Sequence, residues 1–263
     1  MAIDISHRRD GGIRRVTIKG DAKKSGIGFS ALLLAAVIAL AIELSSDILS
    51  LFSVFWAQVT SVIGEAYIPI LCFLTARAYI CSGSRRRMFG LLLGAAVIAA
   101  HIPYIYFFGH MQISIFSRTS ALFPMLMGYA ALCVRDMNSI DPNIKNAVIL
   151  LICLAASAGE GGGLAAVGVY IFGLEYDRRT QIKFFCFAAA VSAVISLILG
   201  IFNWQFFNWI YIIGMFIPLP LIKRYSGDMS INKRQWWIFL YPLLIAAFII
   251  IKKTIIIIIN KSL

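Results

Sequence analysis

Residues 62–108 read VIGEAYIPILCFLTARAYICSGSRRRMFGLLLGAAVIAAHIPYIYFF, and this stretch decides the fold. Two apolar runs, 62–81 and 88–108, flank a short polar turn that ends in Arg85, Arg86 and Arg87. Each run has about the 20 residues that a helix needs to cross ~30 Å of hydrocarbon. A basic turn between two such runs is a cytoplasmic loop by the positive-inside rule.

The rest of the chain repeats the pattern. Of 263 residues, 60% are apolar and only 14% charged, and the mean hydropathy is +0.87. Those values exclude a soluble enzyme, a zinc-finger module, a disordered tail and a single-span receptor with a large ectodomain. Apolar runs predict an all-α polytopic transmembrane bundle of about nine spans, within a range of about 8 to 10. They fall at 27–50, 62–81, 88–108, 119–134, 146–158, 164–174, 184–202, 208–222 and 236–256.

The chain reads as a basic N-terminal segment, 1–26, followed by one transmembrane helical domain, 27–263. The segment has no A-x-A-like cleavage site, so it reads as a retained cytoplasmic end in contact with anionic headgroups. With that end inside, 19 of the 24 Lys and Arg fall on the cytoplasmic side. The net charge of +12 therefore indicates topology and a lipid partner, not nucleic acid.

Two regions read ambiguously. The fifth and sixth runs are too short to span and are divided by SAGEGGG, 157–163. They either extend into their flanks or form a broken pair whose unwound centre lines a cavity. The final run carries Lys252 and Lys253 in its middle, as one tilted helix with both lysines snorkelling outward or as an end lying in the interface. The five Cys have no metal-site spacing, and neither a zinc site nor a disulfide framework is expected. The sequence holds no Walker loop, GxGxxG, HExxH or GxSxG.

Ionisable residues inside spans each need a reason, because an unpaired charge there costs a few kcal/mol or more. Glu43 and Asp47 share a face of the first span, where they share a proton, meet a cation, or simply mark the helix end. Glu65 and Arg77 lie on the second span, roughly 18 Å apart along a helix, too far to pair. Arg77 either snorkels to the interface or holds an anion. His101 is the side chain suited to general-base work at neutral pH, with a helix–helix hydrogen bond as the plain alternative. Arg118 and Glu160 complete a group of polar residues expected in the outer half of the membrane, with Arg77 near the inner mouth.

The run Gly64 to Pro103 resembles a block of the TraX family of polytopic membrane proteins, whose founding member acetylates the N-terminus of conjugative pilin. Gly64, Pro69, Phe73, Arg85 to Arg87 and Pro103 match it. The Gly-rich segment from Glu160 to Gly168 resembles a second block, and SINKRQWWIFLYPLLIAAFII, 230–250, resembles the closing one through Lys233, Tyr241 and Pro242. The chain departs from the family in lacking its first-span Asp-His pair and its C-terminal His, and in having Glu65 where the family has Arg.

The resemblance implies a membrane-embedded acyltransferase of the bacterial inner membrane, with acetyl-CoA as co-substrate and no metal. It places Arg77, Arg85, Arg86 and Arg87 at the donor phosphates. His101 would be the base and Glu43 or Glu65 its orienting partner. Arg118 would stabilise the oxyanion, with the backbone amides of Gly159 to Gly163 as the other choice. The acceptor would be an amine or hydroxyl on a secreted or membrane-inserted substrate such as a pilin N-terminus. Two other readings remain: a proton- or cation-coupled transporter using Glu43, Asp47 and Glu65, and a non-catalytic assembly or immunity partner.

Overall fold

A computed structural model describes residues 26–108, 119–203, 210–226 and 235–262. Arg118, His7, His110, Lys233 and nearly all of the basic N-terminal segment lie outside the described residues. The described chain is helical: α1 (Phe29–Leu49), α2 (Val54–Gly64), α3 (Tyr67–Ser82), α4 (Arg86–Phe108), α5 (Leu122–Arg135), α6 (Pro142–Ala155), α7 (Gly162–Phe172), α8 (Arg178–Asn203), α9 (Ile210–Gly214), α10 (Leu219–Lys223) and α11 (Leu240–Ser262). Among the described residues, five helical segments are long and apolar enough to cross a membrane, and four shorter apolar helices accompany them. The architecture is consistent with a polytopic membrane bundle.

The second run is longer than its hydropathy suggests, because α2 begins at Val54 and α3 follows almost directly. Pro69 explains the joint between them. It has no N–H to offer the carbonyl of Glu65, which accepts instead from Ile68 at 3.2 Å. At the third position of α3, Pro69 removes only a donor that would have had no intrahelical partner.

The fifth and sixth runs form two short helices, α6 and α7, joined by the 3-10 turn Ala156–Ala158 and a glycine turn. Gly161 and Gly162 have φ of 75° and 57°, a region that favours glycine. Pro142 at the first position and the Asp141 carboxylate, accepting from Asn143 N at 2.8 Å, start α6. The eighth run is broken into α9 and α10 around Pro218 and Pro220. The last run is one continuous helix through both lysines.

α3 sits at the centre. Thirteen of its sixteen residues are buried, as expected of a helix that is apolar on every side. The outer face of α4 reverses the soluble pattern: Leu91, Ile98 and Ile102 are 68–77% exposed, while Phe89, Leu93, Ala96 and Ala100 are fully buried behind them. Such an apolar exterior suits lipid and not water.

Two isolated backbone bridges hold distant parts of the chain together. Ile27 pairs with Tyr225 and ties the entrance of α1 to the end of α10. Thr119 pairs with Gly159: its N–H donates to Ala158 O, and Glu160 N donates to Thr119 O, both at 2.9 Å. That second bridge locks the start of α5 to the α6–α7 turn.

Candidate functional site: a carboxylate–tyrosine nest and a guanidinium pair

Glu43 lies on the buried face of α1. It fits there because α2 presents Gly64: a Cβ at that position would stand 2.6 Å from both Cα and Cβ of Glu43 and would collide with Oε2. Ser61, one turn earlier on α2, donates its hydroxyl to Glu43 Oε1 at 3.0 Å. The other carboxylate oxygen, Oε2, is enclosed and has no hydrogen-bond partner.

Glu160 is delivered to the same region by the bridge to Thr119. Tyr241, on the first turn of α11, donates its hydroxyl to Glu160 Oε2 at 3.2 Å and accepts from Ala121 N at 3.2 Å. Tyr67 opens α3, with its ring 6.3 Å from that of Tyr241. Tyr67 is fully buried, and its hydroxyl has no hydrogen-bond partner. Glu43, Glu65, Glu160 and Tyr241 all lie within electrostatic reach of Tyr67. A small, partly open apolar cavity of about 20 Å³, room for about one water, lies beside Tyr67 and Tyr241, walled by Leu33, Ala36, Leu71 and Trp237.

The nest is deep. From Tyr241, which holds the start of α5, to Lys252 is eleven residues of α11, or about 16 Å at 1.5 Å per residue. At Lys252 the helix meets Asp47 in an ion pair, and Lys252 also donates to Phe107 O at 3.0 Å. Lys252 therefore turns inward to α1, a correction to the expectation that both lysines snorkel outward. Asp47 meets its cation within the chain. Lys253 covers the ring of Tyr106 at 4.9 Å.

His101 does not join the nest through any hydrogen bond to a described residue. It is half-buried on α4, beside the inward face formed by Ala100, Tyr104 and Phe107. The α4 side chain within electrostatic reach of Tyr241 is Tyr104. The glycine-turn amides also differ from expectation. Those of Gly159, Glu160 and Gly162 already donate to Ala156, Thr119 and Gly159 carbonyls, so most of this backbone has no amide left for an oxyanion.

At the other end of the bundle the arginines divide. Arg86 pairs with Asp136 at 2.9 Å, lies over the Tyr79 ring and donates to Tyr79 O. Tyr79 donates to Asp136 Oδ2 at 2.6 Å, and Arg135 holds Oδ1 at 3.0 Å. Partial burial pushes the Asp136 carboxyl up, but the Tyr79 hydroxyl and the two guanidinium groups outweigh it and hold the carboxyl below its usual value. Arg85 and Arg87 are exposed.

Arg77 lies ten residues beyond Tyr67 on α3, about 15 Å along the helix from the nest. It is within electrostatic reach of Arg178, the first residue of α8. Arg178 donates to Tyr225 O and stands 5.4 Å from the ring centres of both Phe73 and Tyr225.

Sequence reading missed Ser61, Tyr67, Tyr104 and Arg178. Arg178 is hidden in a basic turn, and the three hydroxyl residues carry no signal apart from proximity in space. Among the described residues, no group of three His, Cys, Asp or Glu side chains is placed to hold a metal ion. Compared with protein-family models, curated proteins and solved structures, the chain matches none, and the TraX likeness stands on its motifs alone.

Proposed function

We propose that this chain is a membrane-embedded acyltransferase of the TraX type, in which Glu43 takes the role that residue type alone would give to His101. The observation that carries the proposal is Glu43 Oε2, an enclosed carboxylate oxygen without a partner, in the same nest as the enclosed and unpartnered Tyr67 hydroxyl. The first is suited to accept a proton and the second to donate a hydrogen bond to a developing oxyanion.

In this reading Ser61 holds Glu43 through Oε1, leaving Oε2 for the acceptor's N–H or O–H proton. As that proton moves to Glu43, the acceptor atom bonds to the thioester carbonyl carbon, and Tyr67 donates to the carbonyl oxygen. The C–S bond then breaks, and Glu43 returns the proton to the departing thiolate. Acetyl-CoA supplies the activated acyl group, with its phosphates at the Arg77 end and its thioester arm toward the nest. The acceptor in this reading is a membrane-inserted substrate such as a pilin-like N-terminus, approaching from the bilayer along the apolar walls beside Tyr67 and Tyr241.

The test is thiol release from acetyl-CoA by the full chain in detergent or nanodiscs, together with calorimetric binding. Glu43→Gln should lower thiol release by about 10²–10⁴-fold with donor binding kept, Tyr67→Phe should lower it by about 10²–10³-fold, and His101→Ala should stay near wild type. A folded protein that binds no acetyl-CoA at millimolar concentration overturns the reading, as does turnover unaffected by Glu43→Gln.

One observation favours a second reading. The α6–α7 connection passes from the 3-10 turn Ala156–Ala158 into a non-helical glycine turn whose first residue, Gly159, is buried, a feature of helices interrupted at a transport site. Proton uptake into liposomes that depends on Glu43 but not on acetyl-CoA would select proton-coupled transport.

A further inference from the structure

Arg77 lies in the run LCFLTARAYI, on α3, where the residues on either side, Ala76 and Ala78, are fully buried. Phe73 lies one turn earlier on the same face. Its ring lies 5.1 Å from that of Tyr225 and 5.6 Å from that of Phe172. Arg178 covers the Phe73 and Tyr225 rings and donates to the Tyr225 carbonyl. These contacts fix the direction of its guanidinium group and bring it within electrostatic reach of Arg77.

Neither Arg77 nor Arg178 forms an ion pair with a described carboxylate, whereas Arg86 and Arg135 share Asp136 on the same side of the bundle. Arg77 Nε is enclosed and has no hydrogen-bond partner. Two like charges that are half removed from water repel each other and lose hydration, a cost that an anion between them offsets. Arg178 also stands at the N-terminal end of α8, where the helix dipole adds to the positive potential. The ligand that suits two planar donor forks and two positive charges is a phosphate group.

We propose that Arg77 and Arg178 together bind a phosphate group carried by a ligand, with Phe73 and Tyr225 acting as the platform that holds Arg178 in place. Two sources share this chemistry: a soluble phosphorylated compound of the coenzyme A type and the headgroup of an anionic phospholipid. As a donor site the pair rests on the acyl-transfer reading, but as a phosphate site it stands without it.

The experiment has two arms, both with the full chain. In nanodiscs of neutral phosphatidylcholine, calorimetry measures acetyl-CoA binding and its competition by inorganic phosphate. In nanodiscs containing phosphatidylglycerol, native mass spectrometry counts the anionic lipid retained by the protein. Arg77→Ala and Arg178→Ala should each weaken the occupied arm by about tenfold or more. Arg178→Lys should weaken it less, since it keeps the charge and loses the fork. If an alanine variant does not fold, Arg77→Lys and Arg178→Gln serve in its place, with circular dichroism and the melting midpoint as controls.

Acetyl-CoA binding that falls with these substitutions assigns a soluble ligand, and phosphatidylglycerol retention that falls with them assigns a lipid. Absence of both, or binding indifferent to both arginines, overturns the site. Thiol release bears on acyl transfer alone: phosphate binding without it removes that reading and leaves this one.

Discussion

Lys252→Met tests the ion pair that joins α11 to α1. The substitution keeps the length of the side chain and removes its charge, leaving Asp47 on α1 without its cation. Breaking a fully buried pair by removing one partner costs about 3–5 kcal/mol. Here the side chains of Lys252 and Asp47 are 25% and 28% exposed, and partial solvation reduces that to about 2–3 kcal/mol. The lost donation to Phe107 O, at 3.0 Å in the structure, lies within that range. Removing both charges, as in Asp47→Leu with Lys252→Met, should restore most of the stability, because no uncompensated charge remains. The assay is reversible unfolding in mixed micelles, followed by tryptophan fluorescence, for the two single variants and the double variant. A Lys252→Met cost below about 0.5 kcal/mol, the size of an ordinary surface substitution, would refute the pairing and return the lysine to the snorkelling position. A double variant as unstable as the sum of the singles would refute it too, since independent sites add and paired charges do not.

Other outcomes rest on the same geometry. Gly64→Ala should destabilise the protein by about 1–3 kcal/mol, because its Cβ would stand 2.6 Å from that of Glu43 and force α2 from α1; a variant of unchanged stability would show that the two helices are not in that contact. Tyr241→Phe should cost about 1–3 kcal/mol by leaving the Ala121 amide and Glu160 with one bond fewer, read in the same unfolding assay. The Asp136 carboxyl is held below its ordinary 3.8, so its contribution is complete above that value and is lost as the pH falls through the lower folded value. Stability measured from pH 7 down to pH 3 should therefore fall more steeply in the wild type than in Asp136→Asn, and parallel curves would count against the Arg86–Asp136–Arg135 arrangement.

The helical class and the places of most helices were legible because apolar runs long enough to span leave a strong one-dimensional signal. Boundaries were less so: Gln58, Thr60 and Ser61 weaken the hydropathy before Gly64, yet α2 extends back to Val54. The pairings were hidden by distance along the chain. Asp47 and Lys252 are 205 positions apart, and Tyr241 and Glu160 are 81 apart, with no local spacing to announce either. Residue type pointed to His101, but the rotation of α4 decides which side chain meets Tyr241, and Tyr104 occupies that place. Arg77 drew notice as a charge in an apolar run, whereas Arg178 was masked by Arg179 and Lys183 beside it.

The distance of the nest from Lys252 has an electrical consequence. With α11 standing along the normal of a membrane, Tyr241 and Lys252 would be separated by about 16 Å, roughly half the thickness of the hydrocarbon. An elementary charge moved across the whole bilayer gains or loses about 2.3 kcal/mol per 100 mV. A proton or charged reactant passing between these two levels therefore experiences about 1 kcal/mol at that voltage, enough to change its occupancy of the nest roughly fivefold. The acyl transfer proposed at Glu43 would then depend on the energised state of the membrane as well as on the concentration of its reactants.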